Sequence, residues 1–389
     1  MVPCPPVDAF VPATQVAEPQ PSFPMDLYLC QACGHAQLLD VVAPSLLFGS
    51  YIYTTGSSPG LVDYFQDYAN SVCNQLDLAP GAFALDIGSN DGTLLSFFKQ
   101  RGLQVLGVDP AREVAAGATA RGIETLPEFF TSAVAQRIRS EKGAVDLVTA
   151  NNVFAHSDFL GDMADGIRHI LAPSGVFVFE VSYLLDIVDN MIFDVIYHEH
   201  LSYHSVRPLR LFMDRHGLHL FRIERTPSKG GTLRCFVQLA GGPRPEHSSV
   251  HELLKLEDEY GLYRHQTYER FADRVNQTKE QTQAILSQPE FSGKALAGYG
   301  ASATATVLIY QFDLGNVLRM IVDDNPIRQN RFSPGHHIPI ISSETLLARQ
   351  PEGVIILVWR YADMIMERNK TYQDRGGRFI IPLPQPHVV

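Results

Sequence analysis

The middle of the chain alternates short apolar runs with longer stretches in which apolar residues recur at helical spacing. The runs FALDIG (83–88), LQVLGVD (103–109) and AVDLVTANNV (144–153) predict buried strands. The run GVFVFEVSYL (175–184) extends the series, and helices are predicted at 112–121 and in MADGIRHIL (163–171). Repeated strand–helix units predict a parallel sheet with helices on both faces.

Two later apolar runs predict a different kind of strand pairing. LHLFRIERT (218–226) and GTLRCFVQLA (231–240) are joined by the short link PSKGG. So short a link forces an antiparallel pair, because parallel strands need a longer crossover.

The chain continues with a polar helical stretch and a second set of strand–helix units. Residues 248–287 predict either one long helix or two helices broken at Gly261, with Ser248 or Ser249 as the cap. Apolar runs then recur in KALAGYGASATATVLIYQF (294–312) and VLRMIVDDNP (317–326). The pattern therefore predicts an α/β fold with a second, smaller doubly wound domain.

Composition narrows the class of protein. The 389 residues suffice for two or three domains, and 45% hydrophobic with 19% charged residues is ordinary for a globular protein. A net charge of −11 argues against nucleic acid as a partner, since that interface needs clustered cations. No apolar run reaches the roughly 20 residues of a membrane span, and the start of the chain lacks the pattern of a signal peptide. Five cysteines, an odd number, favour reduced thiols and a cytoplasmic location.

Two of those cysteines form a C-x-x-C turn. Cys30 and Cys33 lie in LYLCQACGHAQLLD (27–40), which is similar to one knuckle of a zinc ribbon. A structural zinc needs four ligands, and only one pair is present. Cys4 lies in a proline-rich segment without a partner at knuckle spacing. We therefore interpret the pair as reduced thiols in a structural turn, with zinc doubtful and no metal ligand assigned.

The segment LDIGSNDGTLL (85–95) has the pattern strand, glycine-rich turn, helix. Gly88 and Gly92 let the backbone approach a ligand closely, and a helix N-terminus favours electronegative groups. A dinucleotide fold would require G-x-G-x-x-G, and its second glycine is replaced here. Asp86 precedes the loop, and Asp109 ends the next strand, where a carboxylate can accept two ribose hydroxyls.

That arrangement resembles the class I S-adenosylmethionine-dependent methyltransferases more than NAD enzymes. The antiparallel pair at the end of the sheet fits the same Rossmann-like fold, and an unrelated nucleotide fold is the alternative. The candidate residues for binding S-adenosylmethionine are Asp86, Gly88, Ser89, Asn90, Asp109 and Asn151.

The segment DVIYHEHLSYHS (194–205) concentrates histidines around a glutamate. Three interpretations are open: a metal site, polar residues satisfied in a loop, or proton chemistry. On a strand His198 and His200 would share a face, and the helical H-E-x-x-H spacing of a zinc site is absent. Histidine titrates near neutrality, and a glutamate can orient it and match its charge, so proton chemistry is favoured.

Seven motifs together resemble the C-methyltransferases that build branched deoxysugars. They are GSNDGT, NNVFAHSDF, FDVIYHEHLSYHS, KGGTLR, GYGASATATVLI, DDNPIRQNRFSPGHHIPI and GGRFIIPLP, and the resemblance runs from about residue 7 to 385. Members of this family methylate nucleotide-linked 4-keto-deoxysugars in antibiotic biosynthesis. The resemblance implies an N-terminal zinc ribbon, a methyltransferase domain and a C-terminal Rossmann-like domain.

The resemblance suggests a division of the chain into four parts. Residues 1–48 would be a remnant of the ribbon, since its first cysteine pair would precede residue 1. Residues 49–245 would form the methyltransferase domain and 246–290 a helical linker. Residues 291–389 would form the Rossmann-like domain that closes over the substrate.

The resemblance also implies roles for the histidine cluster. His200 matches the general base that removes an acidic C–H proton next to the sugar ketone. Tyr197, Glu199 and His156 match groups that orient the base and hydrogen-bond the sugar oxygens, and Tyr51, next to Tyr53, matches a further tyrosine of the site. His198 is read as structural, pointing away from His200, and His204 is unassigned.

For the nucleotide-sugar substrate the candidates lie in the C-terminal part. They are Tyr299, Ser302, Asp323 and Trp359, with a core position for Trp359 and a helix cap for Asp323 as the alternative. The resulting hypothesis is an S-adenosylmethionine-dependent C-methyltransferase that acts at C3 of a nucleotide-linked 4-keto-deoxysugar. The alternatives are an O- or N-methyltransferase on the same scaffold, or a truncated chain that binds the cofactor without turnover.

Overall fold

The computed structural model describes residues 1–43, 46–47, 54–57 and 59–389. The N-terminal segment is largely irregular, as its proline content predicts, with three short strands: β1 (Val11–Pro12), β2 (Leu27–Leu29) and β3 (Ala36–Leu38). Strands β2 and β3 pair antiparallel, and Cys30 and Cys33 lie in the turn between them.

A seven-stranded sheet forms the centre of the molecule. The strands of this region are β4 (Phe83–Ile87), β5 (Gln104–Val108), β6 (Thr125–Leu126), β7 (Val145–Asn151), β8 (Leu171–Ser182), β9 (Ser202–Tyr203), β10 (Leu218–Thr226) and β11 (Thr232–Leu239). All except β9 join the central sheet, in the order β10-β11-β8-β7-β4-β5-β6. β11 is antiparallel to both of its neighbours, and the other pairs are parallel, which confirms both predicted kinds of pairing.

Seven helices accompany these strands in the described part of this region. They are α1 (Pro59–Leu76), α2 (Thr93–Gln100), α3 (Arg112–Ala120), α4 (Ser132–Lys142), α5 (Leu160–Ile170), α6 (Leu184–Asp189) and α7 (Val206–Arg215). They cover the near-continuous apolar strands, which are buried on both faces. Strand β9 pairs instead with β3, so the cysteine hairpin is attached next to the histidine segment.

The polar stretch after the central sheet forms two helices, α8 (Ser248–Tyr260) and α9 (His265–Leu286). Gly261 ends α8 with a left-handed backbone (φ +76°), so the break at this glycine occurs as one of the two predicted alternatives. The predicted serine cap is wrong. The N-cap is His247, whose side chain accepts a hydrogen bond from the Ser249 N–H, while the Ser249 hydroxyl accepts one from Ile223.

A second parallel sheet lies in the C-terminal region, residues 296–388. Its elements are β12 (Leu296–Tyr299), α10 (Ala303–Gln311), β13 (Leu318–Asp323), β14 (Arg331–Phe332), β15 (Ile340–Ser342), α11 (Leu346–Arg349), β16 (Gly353–Ile356), α12 (Ala362–Arg368), α13 (Lys370–Asp374), β17 (Phe379–Ile381) and β18 (His387–Val388). The order is β15-β13-β12-β16-β17-β18, and only β18 is antiparallel. Strand β14 pairs with β1, which ties the N-terminal segment to this region.

These two sheets confirm the predicted α/β class with a second, smaller doubly wound unit. Across the described residues, the structure contains no helix both long and apolar enough to cross a membrane.

Candidate active site

The first position of the loop after β4, residue 88, accommodates only glycine. Gly88 has φ +69°, and a Cβ there would lie 2.3 Å from Cγ2 of Val153. The Gly88 N–H donates to the carbonyl of Val108 at 2.7 Å, and Gly92, also left-handed, begins α2. The loop therefore packs closely against the segment that follows β7, and only a residue without a Cβ fits at position 88.

Asp109 is held in place by the backbone of the same region. One carboxylate oxygen accepts from the Asn90 N–H and the other from the Ala111 N–H, both at 2.8 Å. Burial raises the pKa of Asp109, and these two backbone bonds oppose the rise. Each oxygen keeps a second lone pair, so the carboxylate can still accept from a pair of ribose hydroxyls.

Several buried polar atoms around this loop have no partner among the described residues. They are Ser89 Oγ and both side-chain atoms, Oδ1 and Nδ2, of Asn151. A buried polar group without a partner is costly, so these atoms indicate that a polar ligand completes the site. Together with the acceptor at Asp109, they fit the amino-acid and ribose groups of S-adenosylmethionine.

The acid before the loop is buried. Asp86 accepts from the Thr149 hydroxyl at 2.6 Å, and burial raises its pKa to about 7, with a smaller contribution from the charge of Asp109. A cation bound beside Asp86 would favour its ionised form. A role for Asp86 in holding the cofactor's ammonium group stays a prediction.

Asn90 has a different set of contacts from those expected of a cofactor ligand. Its side-chain oxygen accepts from the backbone N–H of Thr55 at 2.8 Å and from the Thr55 hydroxyl at 3.2 Å. Asp91 accepts from the Gly56 N–H at 2.8 Å in the same way. The glycine loop is thus bonded to Thr55 and Gly56, and a direct contact of Asn90 with the cofactor stays a prediction.

The histidine segment forms a turn and not the strand that was considered for it. The N–H of His200 donates to the carbonyl of Tyr197 at 2.8 Å, so residues three apart meet. The rings of Tyr197 and His200 lie 4.2 Å apart between centroids. His198 is fully buried on another side, where Nε2 donates to the carbonyl of Phe23 at 3.2 Å. The two histidines do not share a face, as they would on a strand, because the backbone reverses here, and His198 points away from His200 as predicted.

The protonation state of His200 follows from its hydrogen bond. Nδ1 lies 2.7 Å from the carbonyl oxygen of Val195. A carbonyl can only accept, so Nδ1 carries the proton and Nε2 carries the lone pair. Burial lowers the pKa of His200 to about 4, and the charge of Lys229 contributes in the same direction. The ring is thus neutral near pH 7, with a free lone pair on Nε2.

His200 and His156 line one small cavity. Their ring centroids lie 5.0 Å apart, and burial lowers the pKa of His156 well below its usual range. The cavity measures about 20 Å³, which is room for roughly one water molecule. It lies beyond the carboxyl ends of β7 and β8, the edge where parallel sheets bind ligands. Its lining consists of Asn152, Ala155, His156, Val181, Ser182, His200, Ser202 and Tyr203.

Glu199 does not orient His200, although the sequence suggested this role. The orienting acceptor is the Val195 carbonyl. Burial raises the pKa of the Glu199 carboxyl to about 8, with the charge of Asp8 adding to the effect. Near neutral pH the carboxyl is therefore mostly protonated and can donate a hydrogen bond.

Lys229, to which no role was assigned from the sequence, has a positive charge that acts on both cavity histidines. It has a left-handed backbone (φ +52°) in the turn between β10 and β11. Burial of His156 and of His200 is the main cause of their lowered pKa values, and the positive charge of Lys229 lowers both further. The signal was present in KGGTLR, which contributed to the resemblance without a role for the lysine.

Tyr51, with its neighbour Tyr53, lies outside the described residues. His204 is buried, and its Nε2 lies 3.2 Å from the carbonyl of Phe154. Burial lowers the pKa of His204 to about 3, so it acts as a neutral donor that anchors the segment carrying His156.

The C-terminal candidates do not all meet at one point. Asp323 accepts from the N–H of Ala301 at 2.6 Å and of Asn325 at 2.7 Å, the pattern already seen at Asp109. Ser302 caps α10 by accepting from Ala305, and the Tyr299 hydroxyl donates to Asp324. These three lie at the ends of β12 and β13.

Trp359 lies elsewhere, at the boundary with the central region, where its indole N–H donates to Asp194 at 2.9 Å. It is partly buried and packs against the edge of the main core, and it is not grouped with Tyr299, Ser302 and Asp323. The Asp323 carboxylate accepts hydrogen bonds from the loops that follow β12 and β13, so it does not act as a helix cap. Contact of any of the four with substrate stays a prediction.

The cysteine turn does not belong to a larger cluster of metal-binding side chains in the described part of the chain. No group of three or more His, Cys, Asp or Glu side chains arranged for a metal occurs among the described residues. Backbone hydrogen bonds from Cys33 and Ala32 lower the pKa of the Cys30 thiol. His35, the histidine next to the pair, lies 3.2 Å from the hydroxyl of Ser202 through its Nε2.

Comparison with protein families gives three matches along the chain. A family described as "Methyltransferase domain" matches residues 67–222, and one described as "C-methyltransferase C-terminal domain" matches residues 227–384. A family described as "Putative zinc binding domain" matches residues 3–48, which include Cys30 and Cys33. Zinc binding by this chain stays in doubt, because those two cysteines supply only half of a tetrahedral site.

One curated relative agrees with the family matches, and two solved structures show a partial likeness. C-methyltransferase NovU of Streptomyces niveus is 33% identical over 368 residues, which span 94% of this chain and 88% of NovU. Among solved structures, magnesium protoporphyrin IX methyltransferase (ChlM) from Synechocystis PCC 6803 with bound S-adenosylmethionine is 16% identical, at a TM-score of 0.34 over 44% of this chain and 79% of that chain. The CurJ carbon methyltransferase is 14% identical, at a TM-score of 0.39 over 51% of this chain and 61% of that chain.

The long match to NovU and the two methyltransferase family matches cover both sheets. The glycine loop, Asp109 and the unpartnered polar atoms fit S-adenosylmethionine. The chain therefore belongs to the C-methyltransferase family that includes NovU and is an S-adenosylmethionine-dependent C-methyltransferase.

Proposed function

We propose that this C-methyltransferase removes a proton from the carbon beside the ketone of a nucleotide-linked 4-keto-deoxysugar and methylates that carbon, C3. The observation that carries the proposal is the state of His200. Its Nδ1–H is committed to the Val195 carbonyl, and its neutral ring presents the Nε2 lone pair. A neutral imidazole with a free lone pair is a competent general base, and methylation at carbon requires one.

The acceptor must carry an acidic C–H, because an ordinary C–H cannot be deprotonated by imidazole. A carbon next to a ketone meets this need, since the negative charge moves to the ketone oxygen. Two groups are candidates for stabilising that charge: Lys229, whose positive charge acts on His200, and Glu199, which precedes His200 in the sequence and is mostly protonated near neutral pH. Fixed donors aimed at developing charge are commonly the largest catalytic contribution. S-adenosylmethionine, when bound, supplies the electrophilic methyl group.

The second doubly wound unit supports a nucleotide-linked acceptor. The Asp323 carboxylate is held by two backbone N–H groups, as Asp109 is, next to a glycine-containing loop. Such an acid is suited to a second ribose. We place the nucleotide of the substrate there, with Tyr299 and Ser302 nearby and residues 291–389 acting as the substrate-closing part.

Hydrogen exchange tests this function directly. The protein is mixed with S-adenosylhomocysteine and a thymidine-diphosphate 4-keto-6-deoxyhexose in deuterated water. We expect exchange of the C3 hydrogen, observed by NMR, because proton removal does not need the methyl group. With S-adenosylmethionine the new methyl should appear on C3. A methyl found on oxygen or nitrogen, without C3 exchange, would support the alternative O- or N-methyltransferase and overturn the proposal.

The activity should show a bell-shaped pH dependence at saturating S-adenosylmethionine. A base must be unprotonated, so kcat/KM should fall as pH drops through about 4, the pKa of His200. A donor must be protonated, so it should fall again as pH rises through about 8, the pKa of Glu199. The matched variant Glu199→Gln keeps a donor that cannot ionise, and its alkaline limb should disappear. An unchanged alkaline limb in that variant would remove Glu199 from this role.

Asp109→Ala should weaken S-adenosylmethionine binding by about 1–3 kcal/mol, the usual cost of losing hydrogen bonds to a charged group. Calorimetry measures the affinity directly. Asp323→Ala is a matched control, because it removes a carboxylate held by the same two kinds of backbone bonds in the other sheet. The control should leave S-adenosylmethionine affinity unchanged. Equal affinities for Asp109→Ala and wild type would place the ribose elsewhere.

A further inference from the structure

The short turn at the start of the histidine segment is held by the C-terminal region. It spans Phe193–Val195, and all three residues are buried. The Phe193 ring stacks on the ring of Phe312, with centroids 5.5 Å apart and planes at 29°. The turn is therefore packed against α10 and its C-terminal end, across the boundary between the two sheets.

Asp194 makes the polar part of this contact. Its side chain is fully buried and pairs with Arg360, whose Nη1 lies 2.8 Å from Oδ1 and 3.1 Å from Oδ2. Its Oδ2 also accepts from the indole N–H of Trp359 at 2.9 Å. Burial raises the pKa of Asp194, and Arg360 and Trp359 oppose the rise. A buried carboxylate needs such partners, so its position is determined by them.

The next residue along the turn carries the group that orients the base. The Val195 carbonyl accepts the Nδ1–H of His200 at 2.7 Å. Asp194 and Val195 share a planar peptide bond, so a shift of Asp194 moves the Val195 backbone with it. The contact between Asp194 and the C-terminal region is therefore linked to His200 by Val195 and its carbonyl hydrogen bond.

We propose that Asp194, Trp359 and Arg360 are positioning residues for the methyl transfer: by fixing the turn at 193–195, the C-terminal region sets the tautomer and orientation of His200. This inference rests on the proposed role of His200 as the base. It gives the C-terminal region a part in proton removal in addition to any contact with the nucleotide. Trp359 then acts through its indole N–H on Asp194.

Two single variants test this without removing the buried acid. Trp359→Phe deletes one donor and keeps an aromatic ring, and Arg360→Gln deletes the charge. We expect kcat and C3 hydrogen exchange to fall together by about 10–100-fold, the scale of a small misplacement of a catalytic group. KM and S-adenosylmethionine affinity should stay within about twofold of wild type. Arg360→Lys, which keeps the charge, should recover part of the loss.

A spectroscopic readout separates positioning from a general loss of structure. In protein labelled with ¹⁵N-histidine, the ring nitrogens of His200 are identified as the signals missing from His200→Asn. Wild type should show the Nδ1–H tautomer, and Arg360→Gln should show a mixture of tautomers. Arg137→Gln is the control, because Arg137 forms an exposed ion pair with Glu128 far from the turn. It should match wild type in every measurement.

The outcomes distinguish this inference from the proposed function. Should His200→Asn retain C3 exchange, the proposed function fails. Should His200→Asn stop exchange while Trp359→Phe and Arg360→Gln keep the wild-type tautomer and rate, only the positioning role fails. A change confined to KM would likewise overturn it, since the residues would then act on substrate binding alone.

Discussion

Replacing His200 with asparagine should stop exchange of the substrate's C3 hydrogen and lower turnover by ~10²–10⁴, the range for loss of a general base. Asparagine is smaller and polar, and it faces the cavity that His200 lines, so the fold and cofactor affinity should be retained. The exchange assay with S-adenosylhomocysteine isolates proton removal, because no methyl group is available. Calorimetry with the same compound verifies that the variant still binds the cofactor product.

His198→Asn is the matched control for this prediction. It is the same substitution two residues away, but His198 faces Phe23 and not the cavity. We expect His198→Asn to lower the free energy of unfolding but to leave C3 hydrogen exchange in the folded protein near normal. Exchange lost in His198→Asn and retained in His200→Asn would invert the assignment. Exchange unaffected by either change would make the turn structural and place the base elsewhere.

The largest effect on stability should come from Arg234→Met, which we expect to lower the free energy of unfolding by about 3–5 kcal/mol. Arg234 and Glu180 form a buried ion pair at 2.7 Å between adjacent strands β11 and β8. The hydroxyl of Tyr64 donates to the same carboxylate, at 2.7 and 2.8 Å from its two oxygens. The substitution leaves Glu180 as a buried charge without its cation, which is the costly step.

Urea unfolding of matched variants measures this cost. The double variant Arg234→Met/Glu180→Gln removes both charges and should recover part of the loss. Arg137→Met breaks the exposed pair with Glu128, where both side chains are about 40% accessible, and should cost at most about 1 kcal/mol. If Arg137→Met and Arg234→Met lowered the free energy of unfolding by similar amounts, burial of the Arg234–Glu180 pair would not make its loss more costly.

The sequence alone was sufficient to predict the two sheets and the cofactor loop. Strands β4, β5, β7 and β8 are mostly apolar and mostly buried, because a central parallel strand is covered on both faces. The short PSKGG link allowed only an antiparallel pair. Gly88 and Asp109 were identifiable because a left-handed turn and a strand-end carboxylate are local properties.

The histidine site was only partly predictable. The resemblance pointed to His200, whose role as the base stays a prediction, and a strand through this segment would have placed His198 and His200 on one face. The turn is decided by distant partners: Phe23 accepts from His198, and Phe312, Trp359 and Arg360 hold residues 193–194. These contacts join residues more than 100 positions apart, so no local period reports them.

What the sequence determined by itself was the α/β class, the glycine loop with its acid, and the residue types available for proton chemistry. Only the tertiary structure decided how those residues are used. It assigned the orienting role to the Val195 carbonyl instead of Glu199 and brought the charge of Lys229 to the histidines. The physical reason is that a tautomer and a pKa depend on which groups surround a side chain in space, and burial among distant segments sets both.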